Sequence, residues 1–337
     1  MKNIKIAVLD TGIDTEDKDI KDRYVYDKEL QVEGIDNIDD VIGHGTLCAK
    51  TILERCPEAI IYPIKIFNDE GVTEVSKLIV ALANLIGKNI DIINISASMI
   101  KENRLEDLRT VCNILRSEGK ILVASKHKKA KNIKSYPASF DSVIGVKGYK
   151  RICKDNDYTY DSKRENQMYA NGRDRLYKFK DSVTAFGKHS RASALAAGII
   201  AEIMYKENTK DIYKIEQILK SKSNISETYK ERRYKYKKEY VYDTIVRKIV
   251  DILNENFADG RINIEFLEKN SLINNMTGLY GDNAYDFVCM LNKEFGIDIN
   301  YENLYLYEIE NLYILSHIVH KELDKYCLLY TSPSPRD

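Results

Sequence analysis

Short, unbroken apolar runs alternate with helically spaced ones along the first half of the chain. "IKIAVLD" (4–10), "AIIYPIKIF" (59–67), "IDIINIS" (90–96), "KILVAS" (120–125) and "SVIGVKG" (142–148) lack polar alternation and are rich in β-branched residues. Such runs predict strands buried on both faces. Between them, "HGTLCAKTILERC" (44–56), "VSKLIVALANLIGKN" (75–89) and "RLEDLRTVCNILRSEG" (104–119) carry apolar side chains at helical spacing, the last closed by Gly119. The alternation predicts an α/β domain in which a parallel sheet is covered by helices on both faces. Ligands of such sheets sit outside the carboxyl ends of the strands.

Residues 150–186 are polar, with few apolar anchors, and read as a long surface excursion. "GKHSRASALAAG" (187–198) then opens a helix running to about Tyr205, and its run of small residues predicts close approach by another element. A shorter helix follows at 211–222. The stretch 223–240, "SNISETYKERRYKYKKEY", is dense in charge without periodic aliphatics and reads as a solvated connector. Beyond it the alternation stops. Segments 241–257, 283–296 and 308–323 place apolar residues at i, i+3 and i+4, which predicts a small all-α bundle. The expected organisation is a first domain over 1–207, a helical and charged linker over 208–240, and a helical domain over 241–325. The end, 326–337, carries a Ser/Pro composition that follows from nothing before it and reads as a non-native tail.

Composition narrows the function. The 52 basic and 52 acidic side chains cancel, so no net field favours nucleic acid or an anionic membrane. No apolar run approaches the ~20 residues of a membrane span. Six cysteines are scattered without paired spacing, as expected of thiols in a reducing cytoplasm. The N-terminus enters a strand directly, without the apolar region of a secretion signal.

Three islands carry candidate chemistry. In "VLDTGID", Asp10 ends a buried strand and faces the ligand crevice, although strand-end aspartates also cap helices. In "IGHGTLCAKTI", His44 stands between two glycines where a helix begins; flanking glycines permit close backbone approach, and a helix N-terminus disfavours the imidazolium. In the 187–198 stretch, Ser190 stands at the mouth of a helix whose free amides favour developing negative charge; an N-capping serine is the structural alternative. Together the three match the acid–base–nucleophile logic of acyl transfer.

That order and those contexts resemble the subtilisin-like serine peptidases, the subtilase family. "AVLDTGID" is similar to the family's aspartate motif, "GHGTLCAKTI" to its histidine motif and "HSRASALAAGI" to a diverged serine motif. "IYPIKIF", "IDIINIS" and "SYPASFDSVIGV" fall where the family has intervening strands, so the resemblance covers about residues 3–205. It implies a subtilisin-like fold and an endopeptidase in which Ser190 attacks a peptide carbonyl, His44 carries its proton and Asp10 holds the imidazole tautomer. It also implies that Ser96, Ala97 and Ser98 bind the extended substrate through their backbone.

The pattern departs from the family in three places. The family's oxyanion asparagine has no counterpart after "KILVAS". Lys126, His127 and Lys128 stand there, and Asn132 is too far along to align. We take His127 as the candidate replacement. Loss of such a donor costs roughly 10²–10³ in turnover, a magnitude known from a member of this same family. Lys188 and His189 precede Ser190 in place of glycine and a small polar residue, and Ala194 replaces a usual proline. A narrowed cleft and limited cleavage of one peptide or precursor are the expectation. The rival reading is a catalytically impaired subtilase-fold peptide-binding protein. Asp10 lies close to the start, with no pro-segment ahead of it, which agrees with an intracellular enzyme. No cofactor is expected. Structural calcium is left open, because no acidic loop has a recognisable ligand spacing.

The segment 277–299, "TGLYGDNAYDFVCMLNKEFGIDI", resembles the acyl-carrier-protein fold at its second helix, and the resemblance extends over about 240–323. Carriers open that helix with Asp-Ser-Leu. Here Asp282, Asn283 and Ala284 align, and without a hydroxyl no phosphopantetheine ester can form. The resemblance implies a docking scaffold for a partner or substrate; a plain helical bundle is the other reading.

Overall fold

A computed structural model describes residues 3–35, 37–100, 104–130, 133–224 and 240–330. The chain divides into two compact units, one of residues 1–173 with 186–230 and the other of 174–185 with 231–337.

The first unit is built on a seven-stranded sheet. Its strands are β1 (Ile4–Asp10), β2 (Ala59–Lys65), β3 (Ile92–Ile95), β4 (Ile121–Ser125), β5 (Val143–Tyr149), β6 (Tyr158–Tyr160) and β7 (Met168–Asn171). They lie in the order β2-β1-β3-β4-β5-β7-β6, parallel throughout except for β6 against β7. Register aligns Leu9 with Ile64 and Ile95, then Ile95 with Ala124, and Ala124 with Gly145. The two-residue strand period therefore sorts side chains by face. Ala7, Leu9, Ile93, Ile95, Leu122 and Ala124 form one core with Leu78 and Leu82 of α2 (Val75–Ala83) and Leu108, Val111 and Leu115 of α3 (Leu105–Ser117). Of the alternate residues, Asp10 and Ser96 meet Cys48 of α1 (His44–Arg55), and Asn94 meets α4 (Lys188–Lys206). Ser193 of α4 donates to Asn94 Oδ1 at 3.0 Å across this second interface.

The polar stretch 150–186 is more structured than its composition predicts. β6 and β7 extend the sheet, burying Tyr158, Tyr160, Met168 and Ala170. A hairpin of β8 (Arg175–Phe179) and β9 (Ser182–Phe186) follows. The expected linker also begins too early. α5 (Ile212–Ser221) buries Ile215 and Leu219, and Asn224 pairs with Tyr158, so residues up to 224 belong to the first unit. The remaining linker residues, 225–239, lie outside the described residues.

The second unit contains α6 (Tyr240–Asn256), α8 (Ala284–Phe295) and α10 (Leu312–Tyr330), near the three segments predicted helical. It also has the short helices α7 (Ile264–Lys269) and α9 (Leu306–Glu310). Ile249, Leu253, Phe287, Leu291, Leu315 and Val319 form its core together with Leu176 of β8. The Leu176 amide donates to the Leu304 carbonyl at 3.3 Å. The hairpin thus completes this core, and the unit is not all-α as expected. Of the expected tail, 326–330 continue the backbone of α10, whereas 331–337 lie outside the described residues. No described helix is long and apolar enough to cross a membrane.

Candidate active site

Asp10 ends β1 fully buried, and its Oδ1 accepts the Thr11 amide at 2.7 Å. The same oxygen lies 2.8 Å from Nδ1 of His44, whose side chain is 33% exposed. Burial alone would raise the Asp10 pKa, but the charge and hydrogen bond of His44, with hydrogen bonds from Ser96 and Thr11, hold it below its ordinary 3.8. Burial would likewise lower the His44 pKa, yet Asp10 and the neighbouring Cys48 hold it well above 6.5. With Nδ1 donating to Asp10, the neutral imidazole leaves Nε2 free to accept a proton.

The two glycines around His44 have separate causes. Gly43 takes a left-handed backbone with φ 90° ahead of α1. Gly45 admits the opposite loop: a Cβ there would lie 2.2 Å from the Gly12 carbonyl oxygen and 3.0 Å from Asp10 Cβ. Asp40, which sequence reasoning missed, ties this corner together. One of its oxygens accepts from Thr11 Oγ1 and the Gly43 amide at 2.8 and 2.7 Å, and the other from the Thr46 amide and hydroxyl at 2.9 and 2.7 Å. Its place three residues ahead of Gly43 was the available signal, since a carboxylate there can gather the free amides of a helix start.

Ser190 lies half-buried in the first turn of α4. α4 and α1 both begin at the carboxyl ends of the strands: His44 meets Asp10 there, and His189 Nδ1 accepts the Gly148 amide of β5 at 3.0 Å. The helices therefore run in the same direction. They touch where Gly198 would place a Cβ 3.1 Å from the Ile52 carbonyl oxygen and 2.8 Å from Arg55 Cβ. Gly198 lies as far along α4 from Ser190 as Ile52 lies along α1 from His44, so both residues sit at the same end of the pair. Phe186, just ahead of α4, meets the His44 ring edge to face, with centroids 5.3 Å apart. No hydrogen bond joins Ser190 Oγ to His44; the linked part of the row is Asp10–His44.

The start of α4 is held by its neighbours. Arg191 is fully buried and forks onto Asp155, Nη1 to Oδ1 at 3.1 Å and Nη2 to Oδ2 at 2.5 Å. Lys188 turns outward, and His189 is folded back onto Gly148. The Ser190 amide, in the first helical turn, has no acceptor within the helix.

The remaining predicted residues flank this corner. Ser96 Oγ lies 3.4 Å from Cys48 Sγ, Ala97 packs into the core of the α2–α3 face, and Ser98 is half-buried. The amides of Ala97 and Ser98 have no backbone partner among the described residues. His127 donates its amide to Ser135 Oγ at 3.1 Å and accepts the Lys129 amide on Nδ1 at 3.1 Å. Burial, then Lys128 and Lys129, lower its pKa. A neutral His127 whose Nδ1 accepts carries its proton on Nε2. Asn132 lies outside the described residues.

Cys48, quoted in the histidine motif without a role, lies beneath the pair. Its Sγ is 3.4 Å from Asp10 Oδ2 and 4.0 Å from His44 Nδ1, and burial and Asp10 push the thiol to about 11. Asp10, His44 and Cys48 are the one group among the described residues with three potential metal-ligand atoms close together, within 4.8 Å of one another. The acidic loop of Asp17 and Asp19 is instead occupied by Lys50, whose Nζ is 3.0 Å from each carboxylate.

The sequence model described as the Subtilase family matches residues 1–248. The chain is 29% identical over 163 residues to the major intracellular serine protease of Bacillus subtilis (strain 168), covering 43% of this chain and 50% of that protein. It is 29% identical over 155 residues to the minor extracellular protease Epr of the same organism, covering 43% of this chain and 23% of that one. The matches thus span half or less of these relatives. Among solved structures, Sphericase superposes with a TM-score of 0.54 at 18% identity, over 65% of this chain and 83% of that one. A lanthipeptide protease does so at 0.51 and 18%, over 64% and 78%. These superpositions establish the fold of the first unit as subtilisin-like.

Proposed function

Since the chain belongs to the subtilase family, we propose that it is a serine endopeptidase whose acid, base and nucleophile are Asp10, His44 and Ser190. The observation that carries this reading is the 2.8 Å Asp10–His44 contact at the start of α1, and the first turn of α4, which carries Ser190, supports it. In the proposed reaction Ser190 Oγ attacks the peptide carbonyl carbon while His44 Nε2 takes its proton. Asp10 keeps the imidazole in its Nδ1–H tautomer and stabilises the imidazolium. The oxyanion receives hydrogen bonds from the Ser190 amide and from His127 Nε2–H, the latter replacing the expected asparagine. His44 then protonates the departing amine, and water resolves the acyl-enzyme by the same route. The substrate strand pairs with the open amides of Ala97 and Ser98, beside Ser96. Limited cleavage of one peptide or precursor fits a site with Lys126 and His127 at its edge better than general degradation does.

The described cysteines Cys48, Cys56, Cys112, Cys153 and Cys289 are all thiols, which supports the cytoplasm as the site of action. For the second unit we propose an acyl-carrier-like docking role. Asn283 stands at the carrier serine position, and its amide group is used internally: Oδ1 accepts from the Tyr280 amide at 2.6 Å and Nδ2 donates to the Gly278 carbonyl at 2.9 Å.

A fluorophosphonate probe tests the enzyme reading. Wild-type protein modified at Ser190, with His44→Ala unmodified, is expected. A folded wild-type protein that stays unlabelled overturns it in favour of a peptide-binding protein.

A further inference from the structure

Four lysines among the described residues are buried: Lys50, Lys65, Lys120 and Lys126, all 8% exposed or less. Three of them are neutralised within the fold. Lys50 meets Asp17 and Asp19, Lys65 meets Asp69 at 2.8 Å, and Lys120 meets Glu118. Lys126 is the exception. At 8% exposure its ammonium has no hydrogen bond and no ion pair among the described residues, and it is not among the polar atoms sealed from solvent. An unpaired ammonium that still reaches solvent is open to an external anion, which would supply the counter-charge it lacks.

The backbone shows where such an anion would lie. Ser125 Oγ donates to the Ser96 carbonyl at 3.4 Å, the last link between the ends of β4 and β3. Beyond it the two strand extensions part. The Lys126 amide turns to the Val146 carbonyl of β5 at 2.9 Å, whereas Met99 exchanges both backbone bonds with Tyr136 at 2.9 and 2.8 Å. Ser135 Oγ meanwhile accepts the His127 amide. Residues 135–136 therefore bridge the two extensions, with Ala97–Ser98 on one side and Lys126–His127 on the other. The surroundings are cationic. Burial, then the charges of Lys126, Lys147 and His127, lower the His189 pKa, and no acidic side chain contributes there.

From this geometry we infer that Lys126 selects an acidic residue, Asp or Glu, at the peptide position whose carbonyl Ser190 attacks. The inference rests on the endopeptidase reading: if His127 meets the oxyanion and Ala97–Ser98 hold the strand, the side chain of that residue comes to lie beside Lys126. Its carboxylate would supply the counter-charge that the fold provides for the other three buried lysines.

The test separates this inference from the reading beneath it. Full-length Ser190→Ala protein is titrated with fluorescein-labelled hexapeptides, Ala-Ala-Ala-Xaa-Ala-Ala with Xaa as Glu, Gln or Lys, followed by anisotropy. Glu is expected to bind about tenfold tighter than Gln. Added Lys126→Arg keeps the preference, Lys126→Met removes it and Lys126→Glu turns it toward the Lys peptide. Equal binding of Glu and Gln peptides, no binding of the Glu peptide up to about 1 mM, or a preference that survives in Lys126→Met overturns the inference. Fluorophosphonate labelling of wild type is read separately. Labelled protein without a Glu preference leaves a peptidase with another selectivity, whereas a Lys126-dependent preference in unlabelled protein leaves the acidic pocket and overturns catalysis.

Discussion

Asp10 and His44 shift each other in opposite directions: the carboxylate is held below 3.8 and the imidazole well above 6.5. The stabilisation from Asp10 is fully present above pH 3.8 and is lost as pH falls through its lowered pKa. That from His44 is fully present below pH 6.5 and is lost as pH rises through its raised pKa. The pair supports the fold most between these values, whereas a general base must be neutral. Activity should therefore rise with pH through a midpoint above 6.5, in the range where the pair's contribution to stability is fading.

Asp10→Asn removes the charge that raises the His44 pKa but leaves the burial that lowers it. The midpoint of kcat/KM against pH should move down, and the plateau should fall by about 10⁴ because the tautomer is no longer held. A pH–rate profile of both proteins checks this. An unmoved midpoint would mean that His44 is not the titrating base.

Gly45→Ala forces a Cβ to within 2.2 Å of the Gly12 carbonyl oxygen. Two backbone segments must separate, and the strand end bearing Asp10 is one of them. A stability loss of about 1–3 kcal/mol is expected from urea titration, with a fall in kcat as the Asp10–His44 contact lengthens.

Much of this site was legible in the sequence because its signals are local. β1 and α1 declare themselves by apolar spacing, and the glycines beside His44 mark a crowded corner. What escaped depends on distant partners. "RLYKF" is too short and too polar to read as a strand until Leu176 is placed in a core made by residues far downstream. Lys126 looked like one charge in a basic run, and only the pairing of Lys50, Lys65 and Lys120 makes it exceptional. Cys48 sat inside a quoted motif, but its position beneath Asp10 follows from helix α1 lying on the sheet.

Arg191 and Asp155 likewise carry no periodic signal. Asp155→Ala takes the carboxylate from a guanidinium with no exposure, and a loss of about 3 kcal/mol is expected by urea titration. The start of α4 should loosen with it. Slower fluorophosphonate labelling of Ser190 at a temperature where the variant remains folded would reveal that coupling.

The cysteines should separate by reactivity. Cys48 is fully buried, with its thiol pushed to about 11, whereas Cys289 is exposed. At pH 8 the native protein should take iodoacetamide at Cys289 and leave Cys48 unmodified until urea unfolds the chain. Peptide mass mapping reads both sites. Rapid native modification of Cys48 would contradict its enclosure beneath the Asp10–His44 pair.

The second unit makes a prediction of its own. A carrier domain accepts its prosthetic arm through a serine hydroxyl, and the aligned Asn283 offers an amide already bound to Tyr280 and Gly278. Incubating the full chain with coenzyme A and a phosphopantetheinyl transferase should leave its intact mass unchanged. A gain of one pantetheine arm would show that another hydroxyl is the acceptor and that the unit carries acyl groups instead of docking a partner. Asn283→Ala should lower stability by about 1–2 kcal/mol, since both loop hydrogen bonds are lost together, and the docking reading requires that asparagine only for this structural duty.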